Sequence, residues 1–255
     1  MSAEQAAAEH YRQLINSGKF FLEYGPKADF KDKKFRDTAD AIEQYGEYKQ
    51  IAYNGDLKIV YVNEKNFTRK KRSYTPKIFY KDGKCYQFQN KFKAMLYENS
   101  SGNSELNLPA FFSALLPNNP NISSVLGTFN ANEVSTLIES GTENIFGQNF
   151  NYDKYNVKFL DSNGNDINQN PNINLSSTYT FYYNENGELK FVKREGLDSQ
   201  MTAYDAEVKI YISIEKFTGD IPTGFFNFPK GCKVYRKSAG TLDDLLGNEE
   251  LVEKY

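Results

Sequence analysis

Only one histidine, His10, occurs in the 255 residues, and it sits in a run of helix formers rather than beside a nucleophile. Nucleophilic catalysis needs a hydroxyl or thiol held against a base, so this inventory leaves acyl transfer without its usual parts. Neither Gly-x-Ser-x-Gly nor Gly-x-x-x-x-Gly-Lys-Ser/Thr occurs, which removes the hydrolase elbow and the phosphate-cradling loop. The acidic pairs Asp243-Asp244 and Glu249-Glu250 are sequence neighbours that point apart on a helix, so they read as a solvated face rather than as two carboxylates across a glycosidic bond. Two cysteines and one histidine do not make a four-ligand zinc site. The stretch Asp161-Ser162-Asn163-Gly164-Asn165-Asp166 spaces oxygen ligands as a calcium loop does, yet Asp166 stands where glycine is needed and Asn172 where glutamate is needed. It reads as an Asn-Gly turn that bonds its own backbone. No catalytic residue, cofactor or metal is expected.

Binding chemistry is better represented. Arg69, Lys70, Lys71 and Arg72 form the centre of a basic stretch with Phe67, Tyr74, Phe79 and Tyr80 interleaved. Three readings fit this pattern: a solvated strand face guarded by lysines, a patch for an anionic headgroup or protein partner, and a nucleic-acid platform. Thirty-one basic against 33 acidic residues leave a net charge of −2, so no global field favours nucleic acid, and none is expected as a partner. Cys85 and Cys232 can pair if a late strand closes beside the second hairpin, or stay as buried thiols.

The elements that must hold such residues are mostly strands. Aromatics make up 15% of the chain, 19 Tyr and 20 Phe without Trp, enough to build a core. Residues 3–15 read as a leading helix with Tyr11, Leu14 and Ile15 on one face, ended by Gly18, and 19–24 as a strand stopped at Gly25-Pro26. Asn54-Gly55 joins two strands in a hairpin, Asp82-Gly83 joins 78–80 to 85–88, and a turn through Asn184 to Gly187 joins 178–183 to 188–193. Val208, Ile210, Ile212 and Ile214 alternate with Lys209, Tyr211 and Ser213, which predicts one buried and one wet face. Between the β-rich halves a helical insert is expected over 105–147. It holds a proline-led helix at 109–116 and a second helix capped by Asn130 with Glu133, carrying Val134, Leu137 and Ile138, and closed by Gly141. An acidic helical tail is expected over 238–255. The class is therefore α+β, mainly antiparallel β, with a single domain over 1–255 favoured. No run of 18 or more apolar residues occurs, so no transmembrane segment is expected. The first residues lack a signal-peptide pattern. The chain is either cytosolic or begins after a removed signal or anchor segment, and its Tyr- and Asn-rich, Cys-poor composition leans to the second.

The order of elements resembles the LolA/LolB lipoprotein-carrier superfamily. The likeness is carried by Asn54-Gly55-Asp56-Leu57-Lys58-Ile59, by Lys81-Asp82-Gly83-Lys84-Cys85-Tyr86, and by the late run from Ile221-Pro222-Thr223-Gly224-Phe225-Phe226 through Phe228-Pro229 to Gly231-Cys232 and Val234-Tyr235. The resemblance implies an incomplete β-barrel, a curved sheet with helices covering its open side, and an apolar cavity for acyl chains between them. It implies a non-enzymatic, periplasmic or cell-surface protein whose partners are lipid or lipoprotein acyl chains, with a membrane-associated protein as a further partner class.

On that reading the cavity is lined by Leu22, Ile59, Tyr61, Ile78, Tyr80, Phe88, Phe111, Phe112, Leu115, Val208, Ile210 and Ile212, with Arg69, Lys70, Lys71 and Arg72 receiving a headgroup or partner. Phe111, Phe112, Leu115 and Leu116 are either a lid between flexible breaks or a plug of the core. The alternative is a surface or periplasmic module that binds protein or glycan through its Tyr- and Asn-rich exterior.

Overall fold

The computed structural model describes residues 3–46, 48–55, 59–68, 71–98, 115, 133–160, 164, 177–195, 208–237 and 249–255. Among them, α1 (Ala3–Asn16) leads into β1 (Lys19–Phe30), then a 3-10 turn (Lys33–Phe35) and α2 (Arg36–Tyr45). The first meander is β2 (Lys49–Asn54), β3 (Ile59–Thr68), β4 (Lys71–Lys81), β5 (Lys84–Asn90) and β6 (Lys93–Glu98). The second is β7 (Glu133–Ile145), β8 (Gln148–Phe159), β9 (Ser177–Tyr183), β10 (Leu189–Glu195) and β11 (Val208–Thr218), followed by β12 (Lys233–Lys237) and β13 (Glu249–Lys254).

All these strands join one 13-stranded sheet in the order β13-β12-β6-β5-β4-β3-β2-β1-β11-β10-β9-β8-β7. Every pairing is antiparallel except β12 with β6. β1 is the seam: the first meander spreads from one side of it, and the second returns through β11 to the other. The sheet is curved and unclosed, so the fold is the expected α+β class, mainly antiparallel, an incomplete barrel.

β1 runs straight through Gly25-Pro26, where a stop was expected. Pairing with β2 ends at Tyr24↔Lys49, while pairing with β11 continues to Phe30↔Val208. The side of β1 facing away from β11 is therefore free of a strand at Pro26, where a missing N–H costs no ladder bond. The groups that follow on that side bond elsewhere: the Tyr48 hydroxyl donates to the Pro26 carbonyl (3.2 Å) and the Ala28 amide donates to Glu43 Oε1 (3.2 Å). Gly25 is needed because a Cβ there would lie 1.9 Å from the Tyr48 ring.

Two helical expectations are corrected. Residues 133–145 form β7, which turns into β8 through Phe146-Gly147, both at positive φ (51° and 75°). Val134, Leu137 and Ile138 matched a helical stripe by accident of spacing. The segment is rich in β-branched Val, Ile and Thr, and its long-range pairing overrides weak local propensity. Residues 249–254 form β13, with Glu250 and Glu249 held in ion pairs to Arg236 and Lys93. The rest of the expected 238–255 helix and the 109–116 helix, Leu115 apart, lie outside the described residues.

The expected wet face of β11 is also corrected. Tyr211 is buried with Ile145, Phe150 and Tyr182, so the side of the strand expected to be wet is covered at that point. Cys85 and Cys232 are buried free thiols in separate clusters.

Candidate functional site

Alternation along the strands sorts the core into two layers. One face carries both helices. There α1 lays Tyr11, Leu14 and Ile15 onto Phe20 and Leu22 of β1, Ile51 and Tyr53 of β2, and Ile78, Val192 and Ile214 further out. The Tyr11 ring stacks on Phe217 (5.1 Å between centroids), and its hydroxyl oxygen accepts the Leu189 amide at 2.8 Å. Burial pushes the Tyr11 phenol above its ordinary pKa, against a lowering by that amide. Arg12 Nε donates to the Leu115 carbonyl at 3.0 Å, and Leu115 itself is 0% exposed within the same cluster. A buried side chain of this size contributes roughly 1.5–3 kcal/mol, so α1 and Leu115 are part of the core.

The second helix covers the far end of the same face. Ala39 and Ile42 of α2 pack with Ala28 and Phe30 of β1 and with Val208 of β11. Between the two helices lie residues of β1 and β11, with Gly46, just past α2, packed against the Pro26 ring. The register pairs Tyr24 with Ile214, Pro26 with Ile212 and Ala28 with Ile210. Tyr24, Pro26, Ile210 and Ile212 are half-buried there, whereas Leu22 and Ile214 under α1 and Ala28 and Val208 under α2 are buried. The result is an apolar strip flanked by a helix at each end.

The expected site residues divide between the faces. Leu22, Ile78 and Leu115 sit in the helix-face core, with Tyr80 and Ile212 packed on it; Val208 lies under α2, and Ile210 is in the strip. Tyr61 and Phe88 are buried on the opposite face among Phe79, Tyr86, Leu96 and Val234, beneath Phe225, Phe226 and Phe228. They do not join a cavity with Ile78, because the register pairs Tyr61 with Phe79 and Val62 with Ile78, and successive residues of a strand face opposite sides of the sheet. Of Ile59 only the backbone pairings with Asn54 and Lys81 are described. Phe111, Phe112, Leu116, Arg69 and Lys70 lie outside the described residues, while Lys71 and Arg72 are placed at the start of β4, opposite Thr68 and Phe67. Tyr24 and Pro26 were missed because Gly25-Pro26 reads as a strand stop. The period-two run Phe20, Leu22, Tyr24 was the signal that could have found them.

Among the described residues, no group of three or more His, Cys, Asp or Glu could hold a metal ion, and no helix is long and apolar enough to cross a membrane. Buried polarity is concentrated beside α1. Asp153 on β8 is fully buried and accepts a hydrogen bond from Ser140 Oγ at 2.7 Å. Burial, with Asp153 adding to it, holds the Tyr183 phenol well above its ordinary pKa.

No protein-family model matches the sequence, and no curated protein matches it. Among solved structures the chain is similar to an uncharacterized conserved protein from Thermus thermophilus, with 8% identity over 92% of this chain and 99% of that one and a TM-score of 0.38. It is similar to the Mycobacterium tuberculosis lipoprotein LppX at 12% identity, over 86% and 98% of the two chains, with a TM-score of 0.33. A DUF1329 family protein from Desulfovibrio piger matches at 10% identity over 88% and 96%, with a TM-score of 0.22.

Proposed function

We propose that the chain, acting as one domain over 1–255, is a non-catalytic binding protein that holds the acyl chain of a lipid or lipoprotein on its helix face, in a periplasmic or cell-surface setting. The observation that supports this reading is the strip of Tyr24, Pro26, Ile210 and Ile212, apolar and half-buried between the buried Leu22 and Ile214 beside α1 and the buried Ala28 and Val208 beside α2. An alkyl chain laid along the strip would complete the apolar layer at roughly 25 cal/mol per Å² of surface removed from water. The extracytoplasmic setting rests on the sequence resemblance alone. Leu115, with its carbonyl tied to Arg12, belongs to the core beneath α1.

A dansylated undecanoic acid, titrated into delipidated protein, tests this. Saturable binding is expected in the wild type, with at least tenfold weaker binding in Ile212→Asp at unchanged circular dichroism. Absence of saturable binding by folded wild type sinks the proposal. A second reading, a protein-binding surface module, is favoured by one observation. The edge strand β7 exposes Val134, Leu137 and Ile138 (53% for the last) and contains neither proline nor lysine, the residues that usually blunt a sheet edge.

A further inference from the structure

β3 ends at Thr68 and β4 starts at Lys71, so the basic run Arg69-Lys70-Lys71-Arg72 joins them. The strands on either side stop well short of it. β2 pairs with β3 only as far as Lys49↔Glu64, and β5 pairs with β4 only from Ile78 to Lys81. Beyond those points Lys65 to Thr68 of β3 and Tyr74 back to Lys71 of β4 have no strand partner among the described residues except each other. The hairpin therefore continues past its neighbours as a two-stranded ribbon.

The charge of this ribbon is of one sign. From Lys65 to Tyr74 the chain carries Lys65, Arg69, Lys70, Lys71 and Arg72 and no acid. The acids at hand belong to its base: Glu64 pairs in register with Thr75, and Glu23 and Glu215 act electrostatically on Tyr74. From Glu64 to Thr68 the strand advances roughly 13 Å, at about 3.3 Å per residue. That exceeds the screening length of about 8 Å at physiological ionic strength, so the base does not neutralise the far end. The net charge of −2 hides this arm, because the chain without these five cations is strongly acidic.

We propose that the β3–β4 ribbon is a docking arm for an anionic lipid bilayer. A clustered set of basic residues is drawn to anionic headgroups, each adding to the attraction only near the surface. A ribbon that runs past its sheet lets its end meet a flat surface while the acidic remainder stays beyond the screening length. A polynucleotide long enough to wrap the molecule would meet that acidic remainder instead. The register also sets Phe67 opposite Arg72, an aromatic and a cation at one position, which suits the boundary between headgroups and acyl chains. The arm uses no residue of the acyl strip on β1 and β11, so it stands or falls apart from that reading.

Cosedimentation with phosphatidylcholine vesicles, with and without phosphatidylglycerol, tests the arm. Wild type is expected to bind the anionic vesicles at least tenfold more tightly than the neutral ones, and to be released as salt is raised. Lys70→Glu combined with Lys71→Glu reverses charge beyond the last pairing with β2 and β5, so the circular dichroism should match wild type while binding to anionic vesicles weakens at least tenfold. Ile212→Asp should leave vesicle binding unchanged. Equal binding of wild type to both kinds of vesicle, or equal binding of anionic vesicles by wild type and the folded double variant, overturns the proposal. So does a loss of vesicle binding in Ile212→Asp, which would route the contact through the acyl strip. Tighter binding of a short oligothymidylate than of the anionic vesicles also overturns it, because the arm would then be a nucleic-acid contact.

Discussion

Ile78 and Phe79 are neighbours on β4, both 2% exposed, and they belong to two different kinds of interior. Ile78 faces a layer closed by α1, where side chains at helical spacing interlock with the pleat and Tyr11 and Arg12 add polar ties. Phe79 faces a layer closed by an irregular segment that anchors itself through a few phenylalanines and leaves about 500 Å³ beside them. A helix presents a continuous ridge to a sheet. A turn-rich loop presents isolated rings, so the same strands can carry a packed core on one side and an open slot on the other.

The sharpest way to break this contrast is to truncate one ring on each face. Phe20 is 0% exposed and touches Tyr53 and Phe217 (5.4 and 5.9 Å between centroids). Phe20→Ala should cost about 3–5 kcal/mol, because the site cannot collapse around the cavity left behind. Phe226 is half-buried at the slot wall, so Phe226→Ala should cost less than ~1.5 kcal/mol, having little packing to lose. Urea denaturation of both variants checks the ranking. Comparable losses would mean that the loop is as integral to folding as the helix.

Much of this architecture is legible in the residues, and the failures have physical causes. The Asp82-Gly83 turn, with φ of 51° and 77°, is written in the dipeptide. The Tyr11, Leu14 and Ile15 stripe announces α1 as a cover for the core. β7 was unreadable as a strand because Val134, Leu137 and Ile138 fall at helical spacing while its strand character lies in long-range pairing with β8. The division of Tyr61 and Phe88 from Ile78 and Tyr80 was equally hidden. Both faces of β3 to β5 are apolar, so no alternation of hydrophobic with polar residues marks which side meets the helix. The loop-face slot was invisible for a further reason: the 219–232 run could be read as a pattern, yet nothing in it says that Tyr255 returns to stack on Phe228.

A smaller effect probes the polar tie that seats α1. The Tyr11 hydroxyl oxygen accepts the amide of Leu189, which starts β10, so Tyr11→Phe would leave that buried N–H unpaired. The expected loss is about 1–3 kcal/mol, the desolvation penalty of an orphaned donor. Amide hydrogen exchange at Leu189 should accelerate along with it. An unchanged exchange rate would show that the tie does not hold helix to sheet.

The smallest effect at neutral pH, and the most diagnostic, belongs to a second tyrosine of the same layer. Tyr183 is 1% exposed, and its hydroxyl has no hydrogen-bond partner among the described residues. Tyr183→Phe deletes a buried polar atom that returns nothing, so stability at pH 7 should stay within ~1 kcal/mol of wild type or rise slightly, in contrast to Tyr11→Phe. The two proteins separate at alkaline pH. Burial, helped by nearby Asp153, Tyr155 and Tyr11, holds the Tyr183 pKa well above the ordinary value of 10.0. Below pH 10 this phenol is neutral in both folded and unfolded chains, and its contribution to stability is fully present. As pH rises past 10 the unfolded chain releases the proton while the folded one keeps it, so wild type loses stability progressively up to the folded pKa. Phenylalanine has no proton to lose. Thermal melts of the two proteins should therefore agree at about pH 7 and diverge above about pH 10 in favour of Tyr183→Phe; parallel melting curves across that range would mean that Tyr183 reaches solvent or a base in the folded protein, and that the helix-face layer is less closed than its packing indicates.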